Sequence, residues 1–477
     1  MGKLNRIILL ASARTYRNHP FLEAAKRLGL EVVKGRDVPL PMLNKIDRGL
    51  PLDYRDIRKS TEAIVRYTEK TPVRAIIGLD DSGTLLAANA SAALGLPHNS
   101  PQAALAARNK YVMRQQFAEA GVPSPNFRLY GANDDPEIIA DEIQSATERG
   151  LVQRPHPFGG ETWFRTLRAS SSTTGADAST AASPANAFAR SASAQHAAPS
   201  AQGANGGVRY PCVLKPTTLS GSRGVMRADG PEEFVQRFER LRRILFGERC
   251  EEVLVEDYIP GIEVSVEGLL DGGRLQVLAL FDKPDPLEGP FFEETIYVTP
   301  SRLPPETQSA IFEATAKAAA ALGLHTGPIH AELRVNERGP WLLEVAARSI
   351  GGMCSKTLRF GTDMSLEELI LRQALGMEID TQREKRAGGV MMIPIPQAGL
   401  LRAMHGEEEA RAVPLIESIE ITASLNYPLL PLPEGDSYFG FIFARGETPQ
   451  SVEAALREAH RKLRFDIAEE IPVLAHP

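Results

Sequence analysis

The chain is poor in several features that would commit it to common classes. Its 477 residues hold three cysteines, Cys212, Cys250 and Cys354, odd in number and far apart. Neither a disulfide framework nor a metal-type spacing can be built from them, so a reducing, cytoplasmic setting is expected. Long apolar runs are missing too. Ile7–Leu10 is too short for a signal-peptide core and is soon followed by Arg14, and nothing approaches the length of a membrane span. The net charge of -6 and the lack of a basic, aromatic-interleaved run leave no footprint for nucleic acid. What is there is an ordinary globular composition, 43% hydrophobic and 24% charged, with length for roughly two to four domains.

Residues 1–107 alternate strands (Arg6–Ala11, Glu31–Val33, Ala75–Leu79) with helices (Phe21–Leu28, Thr61–Thr68), which predicts a small parallel sheet covered by helices. The loop after the first strand lacks G-x-G-x-x-G, which argues against a dinucleotide site. Asp80-Asp81, after a strand, reads as a turn or helix cap sooner than as a site. Residues 108–124 read as one helix with Lys110 in its first turn, where the dipole favours anions rather than cations. From Ala169 to Gly207 the chain is rich in Ala, Ser, Thr and Gly. Such a stretch buries too little apolar surface to offset its ordering entropy, so a disordered insertion is expected over 169–207.

Tyr210–Pro216 is a short strand ending in Lys215, followed by the loop Thr217–Val225 with Ser220, Gly221, Ser222 and Gly224. Small residues let backbone N–H groups wrap a polyphosphate, although a plain Gly/Ser hairpin looks the same. It is no P-loop, because the lysine precedes the loop and no G-K-[ST] follows. The helix Pro231–Leu245 carries Phe234, Phe238, Leu241 and Leu245 at core spacing. Two strands, Val253–Ile259 with Glu256, Asp257 and Tyr258, and Glu263–Leu270, flank Pro260-Gly261. Their edges could read an adenine while Glu263 accepts ribose hydroxyls. Asp282–Pro300 reads as a proline-rich loop bearing Glu293 and Glu294. Residues 388–477 read as a separate α/β tail with strands near Val390–Ile395, Ser418–Leu425 and Tyr438–Arg445.

The most informative stretch is Gly327–Arg348, two strands around a tight Asn336–Pro340 loop. Alternation puts His330, Glu332 and Arg334 on one face of the first strand. Pairing Val335 with Trp341 sets Glu332 opposite Glu344, with Arg348 on the same face. Two adjacent carboxylates repel unless a cation lies between them, and a hard, oxygen-ligated ion such as Mg2+ removes the conflict. An exposed hairpin with a solvated polar face is the plainer alternative.

Taken in order, Lys110, Lys215, the SGSRGV loop, VEDYIPGIE and the Glu332/Glu344/Arg348 hairpin resemble ATP-grasp ligases over roughly residues 70–375. The GPIHAELRV…LLEVAARSIGGM wording is most similar to the L-amino-acid ligase branch. The resemblance implies an N-terminal parallel α/β domain (1–107), an ATP-grasp domain of two α+β lobes (108–375) and a C-terminal α/β domain (376–477). It further implies that Lys110 and Lys215 contact phosphates and that Ser220–Gly224 is a lid. Glu256–Ile259 would be the adenine hinge, Glu263 the ribose acceptor, Glu332 and Glu344 the ligands of Mg2+ or Mn2+, and Arg348 the stabiliser of an acyl-phosphate. Many ATP-grasp enzymes carry Asn two residues after the second Glu; here that position is Ala346. Glu293 or Glu294 is the candidate for a substrate ammonium, and Gly351-Gly352 the step that leaves room for a substrate side chain. The expected activity is ATP-dependent joining of a small carboxylate and an amine. A purine-pathway or carboxylase-type enzyme and a non-catalytic nucleotide-binding protein remain the alternatives, and a homodimer is left open.

Overall fold

The computed structural model describes residues 5–12, 15, 17–37, 49–149, 207–248 and 250–469. Except for Gly207, the insertion expected at 169–207 lies outside these residues.

The N-terminal strands β1 (Arg6–Ala11), β2 (Glu31–Asp37), β3 (Leu50–Leu52) and β4 (Ala75–Gly78) form a parallel sheet in the order β3-β2-β1-β4. Its middle strand is apolar on both faces: Ile8 and Leu10 pack with Ile64 and Leu86, while Ile7 and Leu9 pack with Phe21 and Ala24. The loop after β4 turns straight into the helix Asp81–Leu94. Asp80 is its N-cap, accepting from Gly83 N–H at 3.1 Å and from Ser12 N–H and Oγ at 3.0 and 2.8 Å.

The helix expected over 108–124 is present as Lys110–Glu119, and a separate helix, Pro101–Arg108, comes just before it. Pro101–Arg108 stops at Asn109, whose side chain accepts from the N–H groups of Tyr111 and Val112 and starts Lys110–Glu119. The break lets Lys110 leave the helix surface and become buried.

Strands β5 (Phe127–Gly131), β6 (Cys212–Pro216), β7 (Met226–Ala228) and β8 (Glu252–Asp257) make a small antiparallel sheet in the order β5-β8-β6-β7. The helix Pro231–Leu245 packs on it through Phe234, Phe238, Leu241 and Leu245.

The second lobe holds β9 (Ile262–Asp271), β10 (Arg274–Lys283), β11 (Ile296–Thr299), β12 (Gly327–Asn336) and β13 (Gly339–Ala346). The stretch expected to be a loop from Asp282 to Pro300 therefore begins and ends in strands. Then come β14 (Ala387–Ile393), β15 (Gly399–His405), β16 (Ile416–Ile421), β17 (Pro428–Leu429), β18 (Gly440–Gly446) and β19 (Arg464–Ala468). The tail is not a separate sheet, as the sequence suggests. β14, β18 and β16 continue the second lobe into one eight-stranded sheet, β13-β12-β9-β10-β11-β14-β18-β16, while β15, β17 and β19 form a small sheet of their own. The cause is the edge of β11: Ile296–Thr299 pairs antiparallel with Gly388–Met391, which is buried along its length. Among the described residues no helix is long and apolar enough to cross a membrane, and the three cysteines are buried and unpaired.

Arg114, fully buried, ties the lobes together. It lies 2.6 Å from Glu256 on β8 and donates to Leu343 O on β13 at 2.6 Å. Glu256 also takes Lys215 at 2.7 Å. Burial alone would raise the Glu256 carboxyl, but the two cations hold it below its ordinary value. Glu256→Ala removes the carboxylate that pairs with both Arg114 and Lys215, and should cost about 3–5 kcal/mol of stability by denaturant unfolding.

Candidate active site

The site lies where the acidic face of the large sheet meets the small lobe. On β12, Ile329, Ala331 and Leu333 point into the core, and His330, Glu332 and Arg334 point the other way. Glu332 is opposite Glu344, as the sequence predicts, but by a different route. The turn pairs Val335 with Pro340, one residue off the expected register, and a bulge between Glu332 and Leu333 restores it.

Three carboxylates from different strands and a loop converge here: Glu263, Glu294 and Glu332 bring ligand oxygens within 4.8 Å of one another. Lys283, at the end of β10, stands among them at 2.8, 2.5 and 3.2 Å. The sequence reading missed Lys283. Burial alone would lower its pKa, but the three carboxylates lift it well above its usual range. Burial also works to raise Glu332, yet Lys283 and His330 hold it well below the ordinary carboxylate range. Glu294 differs: burial and the charges of Glu332 and Glu263 push it up to about 7 against the pull of Lys283. Glu263 takes a second cation, Arg334 Nε, at 3.1 Å.

Lys110 joins this face to the glycine loop. Its Nζ donates to Leu219 O at 2.9 Å and lies 3.3 Å from Glu344, while its N–H donates to Thr217 O at 2.9 Å. In the hinge segment, Asp257 takes Asn126 and the Arg209 N–H at 2.6 and 2.9 Å. With the Glu256 side chain also spoken for, that segment can offer a nucleotide its backbone but not these two carboxylates. Arg334 donates to Tyr258 Oη at 2.9 Å and to Ile259 O at 3.0 Å. Arg348 is held by Asp81, Nε and Nη2 donating at 2.8 and 2.9 Å.

Of the residues expected to meet the substrate, Glu294 joins the carboxylate group, whereas Glu293 accepts from the backbone of Ile395 and lies outside it. Gly352 does not open onto free space. A Cβ there would run into Met392 Sδ, so the lack of a side chain makes room for β14, and the φ of +56° favours glycine as well.

Family comparison follows this division of the chain. Residues 22–98 match an ATP-grasp N-terminal domain, 208–357 an ATP-grasp domain and 391–468 the L-amino acid ligase C-terminal domain 2. The chain carries an ATP-grasp domain over residues 208–357, with a matched N-terminal and C-terminal domain on either side of it. Among curated relatives, dapdiamide A synthase of Enterobacter agglomerans is 28% identical over 252 residues, 50% of this chain and 56% of that one. Alanine–anticapsin ligase of Bacillus subtilis strain 168 is 29% identical over 177 residues, 32% of this chain and 37% of that one. The chain thus spans little more than half the length of these relatives, or less. The crystal structure of L-amino acid ligase from Bacillus licheniformis matches with a TM-score of 0.72 at 23% identity, covering 98% of this chain and 100% of that one, a likeness of fold.

The glycine loop is latched to the C-terminal region. Gly224, at φ +75°, donates its N–H to Pro433 O at 2.9 Å, and Arg223 Nε donates to Glu434 O at 2.9 Å. Arg240 grips the Glu434 carboxylate with Nε and Nη2 at 2.6 and 2.8 Å. Because that pair is part-exposed, Glu434→Ala should change global stability by about 1 kcal/mol or less, yet speed amide hydrogen exchange across residues 217–226. A second expectation concerns pH. The Glu294 pKa is raised to about 7; stability tied to such a group is complete below the unfolded value near 4.3 and is lost as pH rises through 7. In EDTA, the melting temperature of Glu294→Gln relative to the parent should therefore be higher at pH 8 than at pH 6.

Proposed function

We propose that the chain is an ATP-dependent carboxylate–amine ligase that works through an acyl-phosphate and joins amino acids or a closely related acid and amine. The observation that carries this reading is the facing pair Glu332 and Glu344, with Lys110 beside Glu344 and Arg348 on the strand's extension. The match of 391–468 to an L-amino acid ligase domain favours amino acids over bicarbonate or ribosyl phosphates. So does a relative named for joining alanine to anticapsin.

Glu332 and Glu344 would hold Mg2+ or Mn2+; both offer anionic oxygen donors, balanced here by Lys283 and Lys110, which fits such an ion. Bound there, it would neutralise the charge that a triphosphate and a carboxylate bring together. The remaining work falls to the chain's own groups. Lys110 and Lys215 offer ammonium donors to phosphates, and the Ser220–Gly224 backbone closes over them. The substrate carboxylate oxygen bonds to the γ-phosphorus as the bond to ADP breaks. The amine nitrogen then attacks the acyl carbon, phosphate leaves and the nitrogen gives up a proton. Arg348 stabilises the charge developing on the phosphoryl group. Of the two glutamates read as ammonium acceptors, Glu294 is the one the geometry supports.

ADP and phosphate release should depend on added amino acids, with a peptide or amide product by mass spectrometry. Hydroxylamine should trap the activated acid as a hydroxamate when the amine is omitted. Glu344→Gln should abolish turnover without unfolding the protein, and excess EDTA should stop the parent enzyme. AMP and pyrophosphate as products would mean adenylation instead. ADP formed only with bicarbonate or a ribosyl phosphate would shift the substrate class and keep the fold.

A further inference from the structure

Asp81 opens the helix Asp81–Leu94, directly after the Asp80 cap, and its side chain takes no part in capping. It reaches instead across the chain to Arg348, a pair separated by 267 positions. The geometry is side-on and bidentate, with Nε and Nη2 at 2.8 and 2.9 Å, and Nη1 donates to Ser349 O at 3.1 Å. Asp81 is the one side chain, among the described residues, to which Arg348 hydrogen-bonds. A guanidinium carries five N–H donors in a rigid plane. Three are occupied by these contacts, so one N–H on each of Nη1 and Nη2 remains.

The same two segments are tied a second time. Arg17 Nη1 donates to Leu79 O, just ahead of Asp80, and to Ser349 O, just after Arg348, both at 2.8 Å. The Asp81–Arg348 pair is largely covered, with side chains 25% and 12% exposed, so water screens it little. Burial alone would raise the Asp81 carboxyl, but Arg348, with Arg17 and Lys110 further off, holds it below the ordinary value.

We infer that Asp81 is a positioning residue: it fixes one edge of Arg348 so that the other edge meets the phosphoryl group leaving ATP. The N-terminal domain is then part of the active site rather than a scaffold beside it. The inference rests on the ligase reading for the task given to Arg348.

The test is titration calorimetry with Mg2+-ADP, and with Mg2+-ADP plus aluminium fluoride as a mimic of the phosphoryl group in transfer. Asp81→Asn should bind ADP within twofold of the parent but lose at least tenfold in affinity for the fluoride complex. Asp81→Glu, which keeps the charge, should regain part of that loss. Asp81→Asn combined with Arg348→Lys should be no weaker than Arg348→Lys alone, because both changes remove one interaction. Unchanged or tighter binding of the mimic by Asp81→Asn would overturn the inference, since Asp81 would then be idle or a competitor for Arg348. Equal losses for ADP and for the mimic, or additive losses in the double variant, would mark a merely structural residue and overturn it too. No amino acid enters this titration. A parent protein without amino-acid-dependent ADP release would overturn the ligase reading and leave the Asp81 result readable.

Discussion

Glu263, Glu294 and Glu332 share a patch small enough for their oxygens to lie within 4.8 Å of one another. At that distance two unit charges repel by roughly 3.5 kcal/mol even at an effective dielectric of about 20. Such a face folds only if something neutralises it, and this chain uses its own cations. Lys283 serves all three carboxylates, Arg334 serves Glu263, and Lys110 lies against Glu344. A buried ion group of this kind is weak evidence for stability and strong evidence for geometry, because breaking it costs more than making it gains. Each of these cations fixes the place of a carboxylate that a bare sheet would push apart.

Two bulges decide which side chains take part. From the β12–β13 turn, with Asn336 opposite Gly339, a regular ladder would carry Leu343 opposite Glu332. The extra residue on β13 shifts the register by one and turns Glu344 inward, while Leu343 O is left to receive Arg114. On β9–β10 a regular ladder from Asp271 and Arg274 would bring Asp282 opposite Glu263. The irregularity between Val277 and Ala279 brings Lys283 there instead. In both hairpins one inserted residue re-aims a charge from one face of the sheet to the other.

This explains what could be read from the sequence. The Glu332/Glu344 pair was legible although it too depends on a bulge, because the register assumed at the turn was one residue off in the sense that the bulge makes up. The parallel N-terminal sheet followed from strand–helix order, and the Phe234 cluster from apolar spacing. Lys283 was hidden because its face depends on a bulge that leaves no mark in the residue pattern. Asp81 was weighed as a cap and passed over, since nothing in a one-dimensional pattern joins it to Arg348. The fusion of the C-terminal strands with the large sheet was hidden for the same reason: pairing of β11 with β14 spans about ninety residues and is decided by edges, not by spacing.

The distant regions that escaped the sequence reading are the ones that act on the site from either side. The N-terminal domain reaches Arg348 through Asp81, and the C-terminal region reaches the glycine loop through Pro433 and Glu434. The second contact sets a condition on nucleotide binding. For the Gly224 N–H to turn to a phosphate oxygen, it must first leave Pro433 O. A neutral backbone hydrogen bond is worth about 1 kcal/mol net, so the exchange is easy, and a charged acceptor is the stronger partner. Arg223 and Gly224 are bound to one short C-terminal turn, which Glu434 also fastens to Arg240 on the helix Pro231–Leu245. If the loop takes up a polyphosphate as proposed, these two adjacent residues would couple nucleotide entry to the docking of the C-terminal turn.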